Sequence, residues 1–189
     1  MASLLTHALL GATLGHTAKP KEVKSRAFWA LAAFCSMIPD IDVIGFRMGI
    51  PYGALWGHRG LAHSLLFAAI MALPAAFFSS RELRLRWKPA LLLFGITASH
   101  GVLDAMTNGG LGVAFFSPVI TKRYFLPWRP IAVSPIGIRR LTLAHGIHIL
   151  WTEAVSVWVP VMILAGGIWL LRKRGMSRSW QCPEYGVED

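Results

Sequence analysis

Charge is scarce in this chain: charged residues make up 15% of its 189 positions, and hydrophobic ones 54%. That balance excludes an ordinary soluble domain and points to lipid as the solvent. Cysteine is nearly missing. Cys35 lies in an apolar run and Cys182 near the end, without metal-type spacing, so no disulfide framework is expected. No linker or low-complexity tract divides the sequence, which reads as one domain. Dinucleotide, P-loop and nucleophile-elbow signatures are missing too. The opening stretch "MASLLTHALLGATLGHTAKPK" lacks a basic n-region and carries His7 in its apolar part, so it reads as mature protein rather than a cleaved signal peptide.

What the chain does have is apolar runs, from about Ala2 to Leu14, Ala27 to Ile38, Leu61 to Phe78, Pro89 to Leu103, and Ile149 to Leu171. The last reaches the roughly 20 residues that cross a hydrocarbon core, carries Trp151, Trp158 and Trp169, and stops at "RKRG". The shorter ones extend into flanking turns, tilt, or span part of the bilayer. The expected fold is all-α: a membrane-embedded bundle of about five apolar helices over residues 1–175, with a cytoplasmic tail at 176–189. The Gly-, Pro- and aromatic-rich segment Ala105 to His145 is too apolar for disorder and reads as an ordered lid or extended hairpin over the helices.

The formal charge of +10 fits either an anionic partner such as nucleic acid or loops that follow the positive-inside bias. Distribution favours the second. Lys19, Lys21, Lys24 and Arg26, then Arg81, Arg84, Arg86 and Lys88, then Arg172, Lys173, Arg174 and Arg178 fall on one side after five crossings, giving 12 basic residues against 7 in the opposite loops. Those seven are Arg47, Arg59, Lys122, Arg123, Arg129, Arg139 and Arg140. No continuous basic stripe forms, so nucleic acid is not expected as a partner. The chain reads as a multi-pass membrane protein.

Against this background several polar residues stand out. Asp40 and Asp42 in "MIPDIDVIG" follow an apolar helix that Pro39 should help to end, and in an extended segment both carboxylates would face one site. A helix cap and solvated turn is the competing reading. His58 and His63 in "HRGLAHS" converge only if the loop folds back over the next helix start; capping or packing is the alternative. In "SHGVLDAMTNGG", His100 and Asp104 lie four residues apart on one helix face and can share a metal, or form a structural pair between helices. His7 alone would read as a buried histidine. With the basic loops inside, however, His7, Asp40, Asp42, His58, His63, His100 and Asp104 all reach the non-cytoplasmic face.

Neutral imidazoles and carboxylates are the ligands that zinc and similar divalent ions prefer, and a cation removes the penalty of grouping acids near lipid. Those seven residues are therefore expected to form a metal centre for one or two ions, with Zn²⁺ first and Mn²⁺ or Mg²⁺ as alternatives. Arg59, between the histidines, is a candidate for holding a phosphate or carboxylate oxygen, and Asp40 or Asp42 for accepting a proton. His16 reads as interfacial. His145 and His148 could complete the site or simply pack, and Glu153 could pair with a histidine or arginine, or act as a base.

His7, "PDID", "HRGLAHS" and "SHGVLDAMTNGG", in this order and followed by a Pro- and aromatic-rich segment, resemble the inner-membrane metal-dependent hydrolases of the LexA-regulated type over about Thr6 to Pro135. The resemblance implies an all-helical membrane hydrolase distantly similar to zinc-dependent phospholipase C. His7, Asp40, Asp42, His58, His63, His100 and Asp104 match its motif positions. The chain departs from the phospholipase pattern at the last helix, where neither His145 nor His148 has a carboxylate four residues on. The expected activity is hydrolysis of a phosphoester or other ester at the membrane interface, with a phospholipid or other lipid-linked ester as a candidate substrate, by water that the metal activates. The alternative is a non-catalytic membrane protein with a structural metal clamp or an ion or proton path.

Overall fold

A computed structural model describes residues 1–21, 23, 25–79, 86–135 and 142–178. Lys24, Arg81, Arg84, Arg139, Arg140, Cys182 and the tail from 179 onward lie outside the described residues. Those described form five helical runs. The first is α1 (Leu4–Thr17); the second joins α2 (Phe28–Met37), a 3₁₀ turn (Ile38–Val43) and α3 (Ile44–Arg47). A short 3₁₀ turn (Leu61–His63) leads into α4 (Leu65–Ser79), followed by α5 (Trp87–Ala105). The last run joins α6 (Leu143–Glu153), a π-helical turn (Ala154–Trp158) and α7 (Val159–Arg178). No strand forms among the described residues, only two isolated bridges in the long loop.

Local sequence explains where several helices begin. Ser3 has extended backbone and its Oγ accepts from the Thr6 N–H, while Ser64 Oγ accepts from the Phe67 N–H at the start of α4. Each satisfies a donor that the first turn leaves without a helical partner. Pro39 does not end α2 in an extended segment as the sequence suggests. It sits at the start of the 3₁₀ turn, where its missing N–H is tolerated, so the chain continues helically through Asp40 and Asp42 into α3.

Packing begins with α1 against α2. A Cβ on Gly11 would stand 2.6 Å from the Ala32 carbonyl oxygen, and one on Gly15 2.4 Å from Ala32 Cβ. The Gly-x-x-x-Gly spacing thus lets the two backbones approach to a distance that no larger residue permits. One core cluster, around Phe28, Ala32, Cys35, Leu93 and Ile96, joins α2 to α5. A second, with Ala2, Leu10, Leu103, Ile131, Val157 and Val161, ties the start of α1 to α5, the long loop and the last run.

Two of the five runs are long and apolar enough to cross a membrane: Phe28–Arg47 over 20 residues and Leu143–Lys173 over 31. The expectation of about five apolar helices was too generous. The 14 residues of α1 rise only about 21 Å, short of a hydrocarbon core of roughly 30 Å. Polar residues such as His100 and Asp104 reduce the hydropathy of α5. The last run begins at Leu143, six residues before the apolar stretch read from sequence, and its most apolar window is only 17% buried. Leu150, Trp151, Met162, Ile163 and Leu171 stand exposed along it, a surface suited to acyl chains rather than water.

The described part of the long loop folds over the helix ends. Val113 and Tyr124 exchange backbone hydrogen bonds of 2.9 Å, and Ala114 N–H donates to the Arg59 carbonyl at 3.0 Å. Arg123 reaches back to the carbonyls of His58, Tyr52 and Ala54. The loop therefore fixes the "HRG" turn in place.

Candidate metal centre

Four segments deliver the chemistry to one point. His7 comes from the first turn of α1, Asp40 and Asp42 from the 3₁₀ turn after α2, His58 and His63 from the segment before α4, and His100 and Asp104 from the end of α5. His7, His58, His100 and Asp104 are essentially inaccessible, and His63 is 4% exposed. The Asp40 and Asp42 side chains, each 6% exposed, form the open edge.

At the centre, His63 Nε2 and His100 Nε2 are 3.0 Å apart. Asp40 Oδ1 lies 3.3 Å from His100 Nε2 and 3.7 Å from His63 Nε2, and Asp104 Oδ2 lies 3.5 Å from His63 Nε2. Ligands held about 2.0–2.2 Å from a tetrahedral zinc ion stand roughly 3.3–3.6 Å from one another, so these spacings suit a shared cation. His58 joins Asp40, His63 and Asp104 in a set whose donor atoms lie within 4.8 Å of one another. His7, His100 and Asp104 make a second such set. Asp104 belongs to both, with Oδ1 3.7 Å from His7 Nε2 and Oδ2 turned to His63.

The hydrogen-bond partners decide which ring nitrogens face inward. His100 Nδ1–H donates to the Ser36 carbonyl at 2.7 Å, which leaves Nε2 with a lone pair toward the centre. His58 Nδ1–H donates to Asp42 Oδ1 at 2.7 Å, leaving its Nε2 without a partner. His63 Nδ1 faces Asp42 Oδ2 at 3.1 Å, an ion-pair distance at an angle that makes no hydrogen bond. Both nitrogens of His7 and both oxygens of Asp40 are buried with no hydrogen-bond partner. Orphaned acceptors in a dry site are costly, and a divalent ion would satisfy the Asp40 oxygens and the unprotonated nitrogens of His7 and His58 together. The donor set fits such an ion.

Asp42 falls outside these two groups of donors. In the 3₁₀ turn it does not point with Asp40. It accepts from His58 and from the Arg59 N–H at 3.2 Å and faces His63, so its oxygens are turned to the Nδ1 sides of both rings. Burial alone would push the His63 imidazole down, but the carboxylates of Asp104, Asp40 and Asp42 outweigh it and hold it well above its ordinary value, so an ion bound there would displace a proton from His63. His58 goes the other way, because burial outweighs its bond to Asp42.

Arg59 is tied into the same cluster. Its side chain is fully buried, with Nε donating to Asp104 Oδ2 at 3.0 Å, Nη1 to the Gly109 carbonyl at 2.9 Å and Nη2 to Thr107 Oγ1 at 2.9 Å. Each of the three nitrogens thus has a partner within the protein. Its φ of +62° places a non-glycine residue in the left-handed region, strain that the three bonds hold in place.

The last run contributes no ligand. His145 and His148 are exposed on α6, and His16 is exposed at the end of α1. Glu153 is buried and takes neither a histidine nor an arginine as partner. It accepts from the Ser3 N–H, from Ser3 Oγ at 2.6 Å and from Thr6 Oγ1 at 2.7 Å. Next to it, the Ala2 N–H donates to Asp104 Oδ1 at 2.7 Å. Two successive amides thus pin the start of α1 between two carboxylates, which fixes where His7 stands. Thr107, Gly109 and Ser36 were not singled out in the sequence. Thr107 and Gly109 follow Asp104 in "DAMTNGG", whereas Ser36 acts through its backbone and leaves no side-chain signal.

The sequence profile of the YdjM inner membrane protein family matches residues 1–175. The chain belongs to that family. It is also 34% identical to the Inner membrane protein YbcI of Escherichia coli (strain K12) over 174 residues, covering 92% of this chain and the whole of that protein. No solved structure matches. Family membership places the protein at the inner membrane, in agreement with the two runs of spanning length, and every residue of the centre falls inside the matched region.

Proposed function

We propose that this family member is a membrane-bound metal-dependent hydrolase acting on a phosphoester, or another ester, at the bilayer interface. The observation that carries the reading is the set of buried, partnerless donor atoms on His7, Asp40 and His58, gathered with His63, His100 and Asp104 at spacings suited to one or two divalent ions. Zn²⁺ suits the nitrogen-rich set best, with Mn²⁺ or Mg²⁺ as alternatives. When bound, the ion would supply Lewis acidity and make water a better nucleophile at neutral pH.

The chain's own residues do the rest. Asp42, the Ser36 carbonyl and Arg59 hold the ligand side chains in register. Asp40, at the open edge with both oxygens free of hydrogen bonds, turns Oδ1 toward the imidazoles and keeps Oδ2 as proton acceptor. Ile41, Ile44 and Met48 recur at helical spacing beside it and are 59%, 55% and 74% exposed, which favours a substrate that arrives from lipid, such as a phospholipid or lipid-linked ester. In this reading the protein is multi-pass, with the centre on the non-cytoplasmic side.

Near-complete burial favours a second reading, a structural metal clamp without turnover. The two are separated by assaying purified protein in mixed micelles against phospholipids and soluble phosphodiesters, with chelator and with added Zn²⁺. The hydrolase reading expects turnover that chelation abolishes and zinc restores. Full metal occupancy with no turnover of any ester supports the clamp.

A further inference from the structure

Nine residues beyond His7 along α1, about 14 Å away, the helix bundle carries a second feature of different chemistry. A cavity of about 400 Å³ lies where α1, α2 and α7 meet, with Ala12, Trp29, Met162 and Ala165 among its walls. A neighbouring cavity of about 440 Å³ is lined by His16, Thr17, Trp169, Arg172 and Lys173. His16 and Thr17 line both, so the two form one groove, apolar at one end and cationic at the other.

The cationic end coincides with the end of the longest apolar run, which closes at Lys173. Arg172 is held across the helices by donating Nη2 to the Lys19 carbonyl at 2.9 Å. Lys173 Nζ lies 5.3 Å from the Trp169 ring, an aromatic placed where hydrocarbon gives way to headgroups. The carboxyl end of α1 points its carbonyls toward this region and opposes an anion. Of the last-turn carbonyls, Leu14's is taken by the Ala18 N–H, so this opposition is partial and the two side-chain cations outweigh it. No Asp or Glu lines either cavity among the described residues. The balance is cationic.

We propose that this groove binds one anionic phospholipid, its acyl chain against Ala12, Trp29, Met162 and Ala165 and its phosphate on Arg172 and Lys173. A depression in a lipid-facing surface is filled by acyl chain at little cost, and paired basic residues at the boundary select the negative headgroup. The site is separate from the metal centre and stands whether or not that centre is hydrolytic.

Native mass spectrometry of the full chain in detergent, titrated with phosphatidylglycerol, phosphatidylcholine or inorganic phosphate, tests it. The expected result is one tightly held phosphatidylglycerol, with phosphatidylcholine weaker and inorganic phosphate failing to displace it. The pair Arg172→Gln and Lys173→Gln should weaken phosphatidylglycerol by about tenfold or more while leaving phosphatidylcholine unchanged. Should that pair fail to fold, Ala165→Phe, which narrows the apolar end and keeps the charges, should lower the affinity for both lipids. Equal binding of the two lipids by the unmodified chain overturns the headgroup site. Displacement by phosphate alone overturns the acyl part, and unchanged affinity in the charge pair or in Ala165→Phe overturns the assigned residues.

Discussion

Replacing Asp42 by Asn separates orienting residues from ligands. The carboxylate accepts from His58 Nδ1 at 2.7 Å and from the Arg59 N–H at 3.2 Å, and faces His63 Nδ1 at 3.1 Å. Asn keeps the volume and one acceptor oxygen, but loses the charge and offers an NH₂ to one of the two rings. One imidazole then loses the partner that fixes its tautomer and turns Nε2 inward. Loss of such an orienting partner lowers metal affinity by about 10–100-fold, or about 1.4–2.7 kcal/mol. Asp104→Ala removes a donor common to both candidate sets and should abolish binding. The assay is competition of purified protein with a chromophoric chelator, with helical content checked by circular dichroism. If Asp42→Asn loses metal as completely as Asp104→Ala while staying folded, Asp42 is a ligand and the reasoning fails. Unchanged affinity contradicts it equally.

Other expectations follow from the same contacts. Arg59→Met should destabilise the fold by about 3–5 kcal/mol, because it leaves the buried Asp104 carboxylate without its cation; thermal unfolding in detergent reads this, and a midpoint equal to the parent's would contradict the pairing. Gly11→Val places a side chain 2.6 Å from the Ala32 carbonyl and should cost about 1–3 kcal/mol or more by forcing α1 off α2, whereas an unaltered midpoint would mean that the helices part without penalty. Glu153→Ala leaves the Ser3 amide and two hydroxyls without their acceptor, so it should cost about 1–3 kcal/mol and weaken metal binding through His7. Normal stability together with normal affinity would show that the start of α1 is held by other contacts.

That these side chains gather was legible because ionisable groups are expensive in so apolar a chain. His100 and Asp104 share a face at helical spacing, and that spacing survives in α5. Asp42 was not legible as an orienting group, since spacing of two puts carboxylates together only in extended backbone, and Pro39 instead begins a 3₁₀ turn. Arg59 was singled out for its charge and position, but its three partners depend on a positive φ and on a loop some fifty residues away, which pattern reading does not reach. His145 and His148 share a face as read, yet α6 turns both outward. The number of spanning helices was overstated because an apolar run signals burial in protein as readily as in lipid, and α1 buries one face against α2 across Gly11 and Gly15.

The most direct test is elemental analysis of the detergent-purified chain beside its Asp104→Ala variant, after loading with zinc and removal of excess. The geometry predicts one or two tightly held ions per chain in the parent and none in variant protein whose circular dichroism shows its helices intact. A parent chain that stays free of metal, or a variant that holds as much as the parent, would contradict a metal centre built from these histidines and aspartates.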